Sequence, residues 1–256
     1  MAFGLLKSLS ASKASRNVNR NRDRYLDVDG EALHVRVVEH PKSKRITLRL
    51  LPSGDGLKVT MPAHVGDGEL NDFLDRNRNW VATRKARLPS KIELGEGATI
   101  PYLGIDHRIV HLDRLRGVVE AKEVAGEPTL LVPGDPKFIE RKLVDFLKKQ
   151  ARSLLNEAVS LHAASLDVRP KQIRITDSTS RWGSCSTTRT LSFSWRIVMA
   201  PPEVLDYLAA HEVAHLREMN HSDRFWNHVR DICPDMEIHK TWLRRNGSKL
   251  HAVSLS

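Results

Sequence analysis

Apolar and polar residues alternate along residues 27–62, a pattern that indicates β-strands with one buried face. Three runs carry the alternation: Leu33, Val35 and Val37; Ile46, Leu48 and Leu50; and Leu57, Val59 and Met61. The segments DVDG (27–30) and SGDG (53–56) contain the residues that favour turns. The sequence therefore predicts a set of short strands, with a hairpin at the second turn.

The spacing of apolar residues changes to three and four over residues 67–88, which predicts an amphipathic helix. Residues 98–133 return to short strand patterns broken by Gly, Asp and Pro, and PGDP (133–136) has the composition of a boundary. We expect an α+β protein with three parts. These are a disordered basic tail, a β-rich N-terminal region and a C-terminal domain, over residues 1–24, 25–134 and 135–256.

The C-terminal region begins with apolar positions that predict a long helix over residues 137–165. KQIRIT (171–176) and residues 190–198 follow as predicted strands, because apolar and polar residues alternate in both. Pro201 and Pro202 end the second strand and begin a helix, with Glu203 in the first turn, where the helix dipole favours an acid.

Composition and charge limit the function classes. The chain has 256 residues, of which 40% are hydrophobic and 28% charged, and its formal net charge is +10. This charge favours acidic partners such as nucleic acid or nucleotides, although the basic residues are spread along the chain. The two cysteines are too few for a disulfide framework, and no apolar run is long enough to span a membrane. We expect a cytoplasmic protein; the alternative for the tail is a mitochondrial transit peptide.

The helix that starts at Pro202 contains the motif HEVAH (211–215). His211 and His215 are four residues apart, so both imidazoles lie on one helix face and can reach the same metal ion. Glu212 lies at the edge of that face, where it can contact water at the metal without being a ligand. This arrangement is the chemical basis of the H-E-x-x-H zinc motif.

A third ligand is expected at His221. Asn220 can end the helix in a left-handed conformation, and Ser222 is a good N-cap for the next helix, so His221 lies at a tight corner. The spacing of the three histidines equals that of metzincins, but Glu218 replaces the metzincin glycine. Other candidate third ligands remain: His162, His228, His239, His251 and Cys185.

Several motifs together resemble the YgjP-like zinc metallopeptidases. The C-terminal ones are SRWGSCS (180–186), the segment 191–226 around HEVAH, CPD (233–235) and WLRRNG (242–247); the N-terminal ones are KSKRITLRL (42–50), VTMP (59–62), FLDRNRNWV (73–81) and PYLG (101–104). The resemblance covers residues 25–247. It implies a compact zincin-like catalytic domain, related to SprT-like and WSS-like proteases, with His211, His215 and His221 as zinc ligands and Glu212 as the catalytic acid/base.

The leading hypothesis is a zinc metallopeptidase that acts on a peptide or protein. Arg181 is a candidate for stabilising the transition state, and an alternative role is a structural clamp on its turn. By analogy with zincins, strand 190–198 is expected to lie along the cleft and pair with substrate. Two rivals remain: a metal-dependent UTP pyrophosphatase, a label that some family members carry, and a DNA-associated protein with a structural zinc. The oligomeric state is open.

Overall fold

The computed structural model describes residues 24–254. The described part is an α+β fold, which confirms the predicted class. The predicted disordered tail lies outside the described residues, except for Arg24 at its end. Within residues 24–254, no helix is both long and apolar enough to cross a membrane.

The N-terminal unit, residues 24–88, is a mixed four-stranded sheet covered by two helices. Its elements are β1 (Arg24–Val28), β2 (Glu31–Glu39), β3 (Thr47–Leu50), β4 (Gly56–Met61), α1 (Asp67–Arg76) and α2 (Arg78–Lys85). The strand order is β1-β2-β4-β3, with β3 and β4 joined as the hairpin predicted from SGDG. Leu33, Leu57 and Leu70 are fully buried, because the apolar faces of the strands and of α1 form one hydrophobic core.

The single helix predicted over residues 67–88 is instead divided into two. The break falls at Asn77, whose side-chain amide donates to the Phe73 carbonyl at 2.7 Å. A side chain that bonds to the backbone one turn earlier competes with helix propagation, which explains the interruption. The periodic spacing continues across the break, so spacing alone did not show it.

The second part of the predicted β-rich region forms a separate sheet. After β5 (Ile92–Glu93), the chain forms β6 (Thr99–Tyr102), β7 (Ile105–Leu112), β8 (Glu120–Val124) and β9 (Glu127–Pro133), in the order β6-β7-β9-β8. Gly134, at φ 102°, and the cap residue Asp135 then lead through a short 3-10 turn into the next helix.

The C-terminal unit, residues 92–254, contains this second sheet and the helices that follow it. The remaining elements are α3 (Ile139–Ser165), β10 (Gln172–Thr176), β11 (Gly183–Cys185), β12 (Thr190–Ser194), α4 (Pro202–Ala214), α5 (Asp223–Ile232), α6 (Met236–His251) and β13 (Val253–Ser254). Leu143 and Leu147 of α3 share one core with Ile109 and Leu130 of the sheet. The boundary predicted at residues 134 and 135 runs through this core, and the domain division stays a prediction.

The strand predicted over residues 190–198 is shorter than expected. β12 ends at Ser194, and Trp195–Met199 form a 3-10 helix whose five residues are all buried. Apolar and polar residues stop alternating here, since Ile197, Val198 and Met199 are consecutive and apolar. Successive side chains of a strand point to opposite faces, so a strand with one polar face cannot bury three of them in a row. A tight helical turn that is surrounded by the hydrophobic core can bury all three.

Candidate metal centre

Helix α4 carries the first two histidines into the interior. Pro202 occupies its first turn, and Val204, Leu208 and Val213 anchor it in the hydrophobic core. The regular helix ends at Ala214, and the next residue, His215, keeps helical dihedral angles. The one-turn spacing from His211 to His215 is therefore preserved.

The structure brings the three predicted histidines together. Nε2 of His221 lies 3.3 Å from Nε2 of His211, and one ligand atom from each of His211, His215 and His221 lies within 4.8 Å of the others. Within residues 24–254, no other group of three His, Cys, Asp or Glu side chains has this arrangement. The other candidate third ligands do not join the cluster; His162, for example, contacts Asp206 at 2.8 Å.

A hydrogen bond fixes the tautomer of His215. Its Nδ1 lies 3.0 Å from the Glu218 carbonyl oxygen, which can only accept, so Nδ1 carries the proton. The lone pair of Nε2 then points towards the other two imidazoles. A ring nitrogen that donates to a carbonyl is the usual means of orienting a metal-binding histidine. Glu218, which departs from the metzincin pattern, contributes this contact through its backbone.

Burial keeps the imidazoles of His211 and His215 neutral. Burial, assisted by the charges of His215, His221 and Lys240, lowers the pKa of His211 to about 3. Burial also lowers the pKa of His215, although its bond to the Glu218 carbonyl opposes the shift. Neutral imidazole is the form that binds metals, so these two histidines need no deprotonation at neutral pH.

Two aromatic residues of α5 form a wall around the histidines. The Phe225 ring stacks on His215, with centroids 4.4 Å apart, and Trp226 lies 5.6 Å from His221. Lys240 of α6 lies over the Trp226 ring at 4.3 Å. Sequence reasoning missed the positions of both aromatics, because contacts between α4 and α5 depend on the angle of the turn.

The turn that carries His221 differs from the prediction in one respect. Asn220 is not among the described residues with positive φ, so the helix does not end through a left-handed asparagine. Instead the Asn220 side chain accepts from the Ser222 backbone N–H at 3.0 Å. Ser222 caps α5 as predicted, accepting from the Phe225 N–H at 3.5 Å. Together these two contacts hold the corner at His221.

Ser222→Ala is expected to lower the free energy of unfolding by about 1 kcal/mol, because the first turn of α5 loses its cap. The measurement is urea unfolding of the purified protein. Ser222→Asp, which keeps a capping oxygen, serves as the matched control and should recover most of the loss. Equal destabilisation by both variants would contradict the capping role.

Glu212 is buried beside the histidines and lacks a full set of partners. Its side chain is 4% exposed, and Oε2 forms no hydrogen bond within the described part of the chain. Burial raises the pKa of its carboxyl to about 8, and the charge of Arg181 opposes this shift. An unsatisfied buried carboxyl destabilises the fold. Groups of this kind are typical of functional sites.

Gly183 lies directly against Glu212. A Cβ added to Gly183 would be 2.4 Å from Glu212 Oε1, closer than two atoms can approach without movement. Gly183 lies in strand β11 and is not among the described residues with positive φ, so the backbone conformation does not require glycine there. The absent side chain leaves space for the carboxyl group, which explains glycine in the RWGSCS segment.

Gly183→Ala is expected to displace the Glu212 carboxyl and to lower stability by about 1–3 kcal/mol, as overpacking does in tight cores. Thermal unfolding and kcat on a cleaved peptide measure the two effects. Gly68→Ala is the matched control, since its added Cβ meets nothing within 4 Å. Wild-type stability and turnover in Gly183→Ala would show that the close approach has no consequence.

Strand β11, rather than β12, presents a free edge at the site. The sheet order β10-β12-β11 places β12 in the middle, paired on both sides, so the predicted substrate-pairing role of strand 190–198 is wrong. The Trp182 carbonyl and the Ser186 N–H bond to β12, at 2.8 and 3.0 Å. By alternation, the backbone groups of Gly183 and Cys185 point to the outer edge. No other strand in residues 24–254 pairs with that edge.

Arg181 and Cys185 flank the site without joining the histidine cluster. Arg181 is exposed, and its charge reaches Glu212, but no hydrogen bond connects it to that carboxyl in the described structure. Burial, with the charge of Glu212, raises the pKa of the Cys185 thiol to about 11. Cys185 therefore remains protonated, which disfavours metal binding by its sulfur.

Comparison with protein families assigns the class. A family model described as the YgjP-like metallopeptidase domain matches residues 44–246. The chain belongs to this family, so the resemblance in the sequence is confirmed and the protein is a metallopeptidase by family. No protein of curated function matches the chain.

Two solved structures show limited similarity. Both are crystal structures of metallopeptidase zymogens: Pyrococcus abyssi abylysin and Methanocaldococcus jannaschii jannalysin. For abylysin the identity is 22%, the TM-score 0.34, and the alignment covers 40% of this chain and 99% of that chain. For jannalysin the identity is 25%, the TM-score 0.30, and the coverage is 34% and 93%.

Proposed function

We propose that the protein is a zinc-dependent peptidase in which His211, His215 and His221 hold the metal and Glu212 is the acid/base. The convergence of three imidazole nitrogens beside a buried glutamate carries the proposal. The donor set suits zinc, since tetrahedral coordination at about 2.0–2.1 Å separates neighbouring nitrogens by about 3.3–3.4 Å. The observed distance between Nε2 of His211 and Nε2 of His221 is 3.3 Å.

The roles of the residues follow from their positions. A zinc ion held by the three histidines would polarise a peptide carbonyl and activate water. Glu212, with an unpartnered oxygen in a buried setting, accepts a proton from that water and delivers it to the leaving amine. Arg181 remains the candidate for stabilising the oxyanion.

The outer edge of β11 is the proposed docking site for the substrate backbone. An extended peptide there can bond to the outward backbone groups of Gly183 and Cys185, as in β-strand addition. Gly183 also contacts Glu212, so a peptide on this edge runs beside the proposed acid/base.

Peptide hydrolysis by the metal-loaded protein tests this function. The protein is freed of metal, reloaded with one equivalent of zinc and incubated with a proteome-derived peptide library, whose products are identified by mass spectrometry. We expect cleavage only after reloading. Release of pyrophosphate from UTP, without peptide cleavage, would replace the proposal with the nucleotide rival. Against that rival, no cluster of carboxylates suited to magnesium lies within residues 24–254.

Nucleic-acid binding is a separate and additional proposal based on net charge alone. Affinity for a DNA duplex that falls steeply with salt would support it, and absence of binding at low salt would remove it.

A further inference from the structure

A cavity of about 330 Å³ lies between the N-terminal and C-terminal units. The N-terminal unit contributes the β3–β4 turn and the end of α2, and the C-terminal unit contributes residues 179–182 and the last turns of α6. We call it the arginine-rimmed cavity, after Arg84, Arg181 and Arg244, which line it. Its volume is at the lower end of the range for small-ligand sites, about 300–1,000 Å³.

The inner wall of the cavity is formed by Trp182 and His251. Their rings stack with centroids 4.4 Å apart, and Gly247 makes room for the indole, since an added Cβ would lie 3.0 Å from it. His251 is only 7% exposed, and its Nδ1 has no hydrogen-bond partner in the described part of the chain. This nitrogen is shielded from solvent, so His251 contributes its stacked ring to the wall rather than a free hydrogen-bonding atom.

The charged side chains that line the cavity are all positive. No acidic residue lines it, and no ion pair or side-chain hydrogen bond within residues 24–254 engages Arg84, Arg181 or Arg244. All three of these side chains are exposed. Three unpaired guanidinium groups around one opening attract an anion and offer paired N–H donors to it.

The cavity adjoins the proposed active site. Arg181 and Trp182 immediately precede Gly183, which contacts Glu212. Since consecutive Cα atoms are about 3.8 Å apart, Arg181 lies within about 7.6 Å of Gly183 along the chain. A group held in the cavity is thus a neighbour of a peptide on the edge of β11. The histidine cluster itself does not line the cavity.

We propose that the arginine-rimmed cavity is a specificity subsite that binds a carboxylate of the peptide substrate. This inference rests on the proposed peptidase function. The carboxylate belongs either to an acidic side chain or to the free C-terminus of the peptide. Arg84 and Arg244, both exposed at the opening, bind it by forked hydrogen bonds. Both the N-terminal unit and the C-terminal unit therefore contribute residues to the proposed subsite.

The surroundings favour a carboxylate over a phosphate. α2 and α6 both direct their C-terminal ends to the cavity, where helix dipoles are negative and oppose a highly charged group. Phosphate sites commonly use helix N-termini or glycine-rich loops, and neither lines this cavity. Leucine side chains also contribute to the wall, which suits the aliphatic part of an amino acid.

The test compares wild type with the double variant Arg84→Gln/Arg244→Gln. The substrates are two pairs of peptides that contain a cleavage site found in the library. One pair has either Glu or Gln at one position, and the other pair has either a free carboxylate or an amide at the C-terminus. We expect wild type to prefer the carboxylate form in one of these pairs. The double variant should lose about tenfold or more in kcat/KM on that form, because hydrogen bonds to charged groups contribute about that factor. Its loss on the neutral form should be much smaller, because that form has no charge to pair with the two arginines.

Arg245→Gln is the matched control. Arg245 is the next residue on α6, equally exposed, and lines a different groove with Ile238 and Trp242. The control should keep the wild-type preference. Equal kcat/KM on the carboxylate and neutral forms by wild type would overturn the subsite while leaving the peptidase intact.

A binding measurement separates the subsite from catalysis. Ligand-observed NMR on the zinc-loaded protein uses N-acetylglutamate α-amide, N-acetylalanine and inorganic phosphate as probes. Binding of either carboxylate, weakened about tenfold in the double variant, supports the subsite even if no peptide is cleaved. Binding of phosphate alone, or of no probe, overturns it.

Discussion

Glu212→Gln should reduce kcat by about 10²–10⁴-fold on any peptide that the zinc-loaded protein cleaves, the range that general acid–base catalysis contributes. The amide is close in size to the carboxyl and fits the same pocket against Gly183. It cannot accept the proton from water, so the loss falls on turnover rather than on folding. Initial rates at saturating substrate measure the effect, and elemental analysis measures bound metal.

Three controls make this result specific. Metal content should stay at the wild-type level, because the amide removes none of the three imidazoles. Glu203→Gln, in the exposed first turn of the same helix, should leave kcat unchanged. Thermal stability should not fall, since Oε2 of Glu212 has no described partner to lose. Turnover at the wild-type rate in Glu212→Gln would contradict the proposed acid/base role of Glu212.

The geometry of the histidine cluster was predictable because it is mostly local. A four-residue spacing on a helix determines the separation of His211 and His215, whatever the rest of the chain does. His221 follows after one short turn, and the cap at Ser222 is visible in the sequence. The details of that turn depend on side-chain bonds such as that of Asn220, which several conformations allow.

The features missed from the sequence depend on contacts between distant segments. Gly183 and Glu212 are far apart in the chain, and only the packing of β11 on α4 shows why the glycine has no side chain. The same holds for the strand order, which puts β12 in the middle of its sheet. Alternation identifies a strand and its buried face, but it carries no information about which edge remains free.

The arginine-rimmed cavity could not be predicted from the sequence either. Arg84 belongs to α2, whereas Arg244 and His251 belong to α6, and no recognisable motif joins the three. Arginines near helix C-termini are common because they complement the dipole. Only their convergence around one opening, without acidic partners, distinguishes them from ordinary surface charges. In the proposed subsite, the N-terminal unit contributes Arg84 to a cavity that adjoins the proposed active site.

His211→Ala, His215→Ala and His221→Ala should each lose zinc, from about one ion per chain to none in the presence of a competing chelator. Structural sites with four ligands bind zinc with a free energy of about 10–16 kcal/mol, or roughly 2.5–4 kcal/mol per ligand. Loss of one imidazole therefore weakens affinity by about 10²–10³-fold. Elemental analysis after dialysis gives the metal content, and thermal unfolding gives a second readout. Zinc at 100 times its Kd stabilises the wild type by about 2.7 kcal/mol, a shift that the variants should lack.

His228→Ala is the matched control, because His228 lies on α5 but outside the cluster. It should keep both the metal and the thermal shift. The variant at His221 is the most informative of the three, since the helix spacing already determines the other two ligands. Zinc retained in His221→Ala, but lost in His211→Ala and His215→Ala, would place the third ligand elsewhere. The turn at His221, which the hydrogen bonds of Asn220 and Ser222 hold, would then connect α4 to α5 without placing a metal ligand.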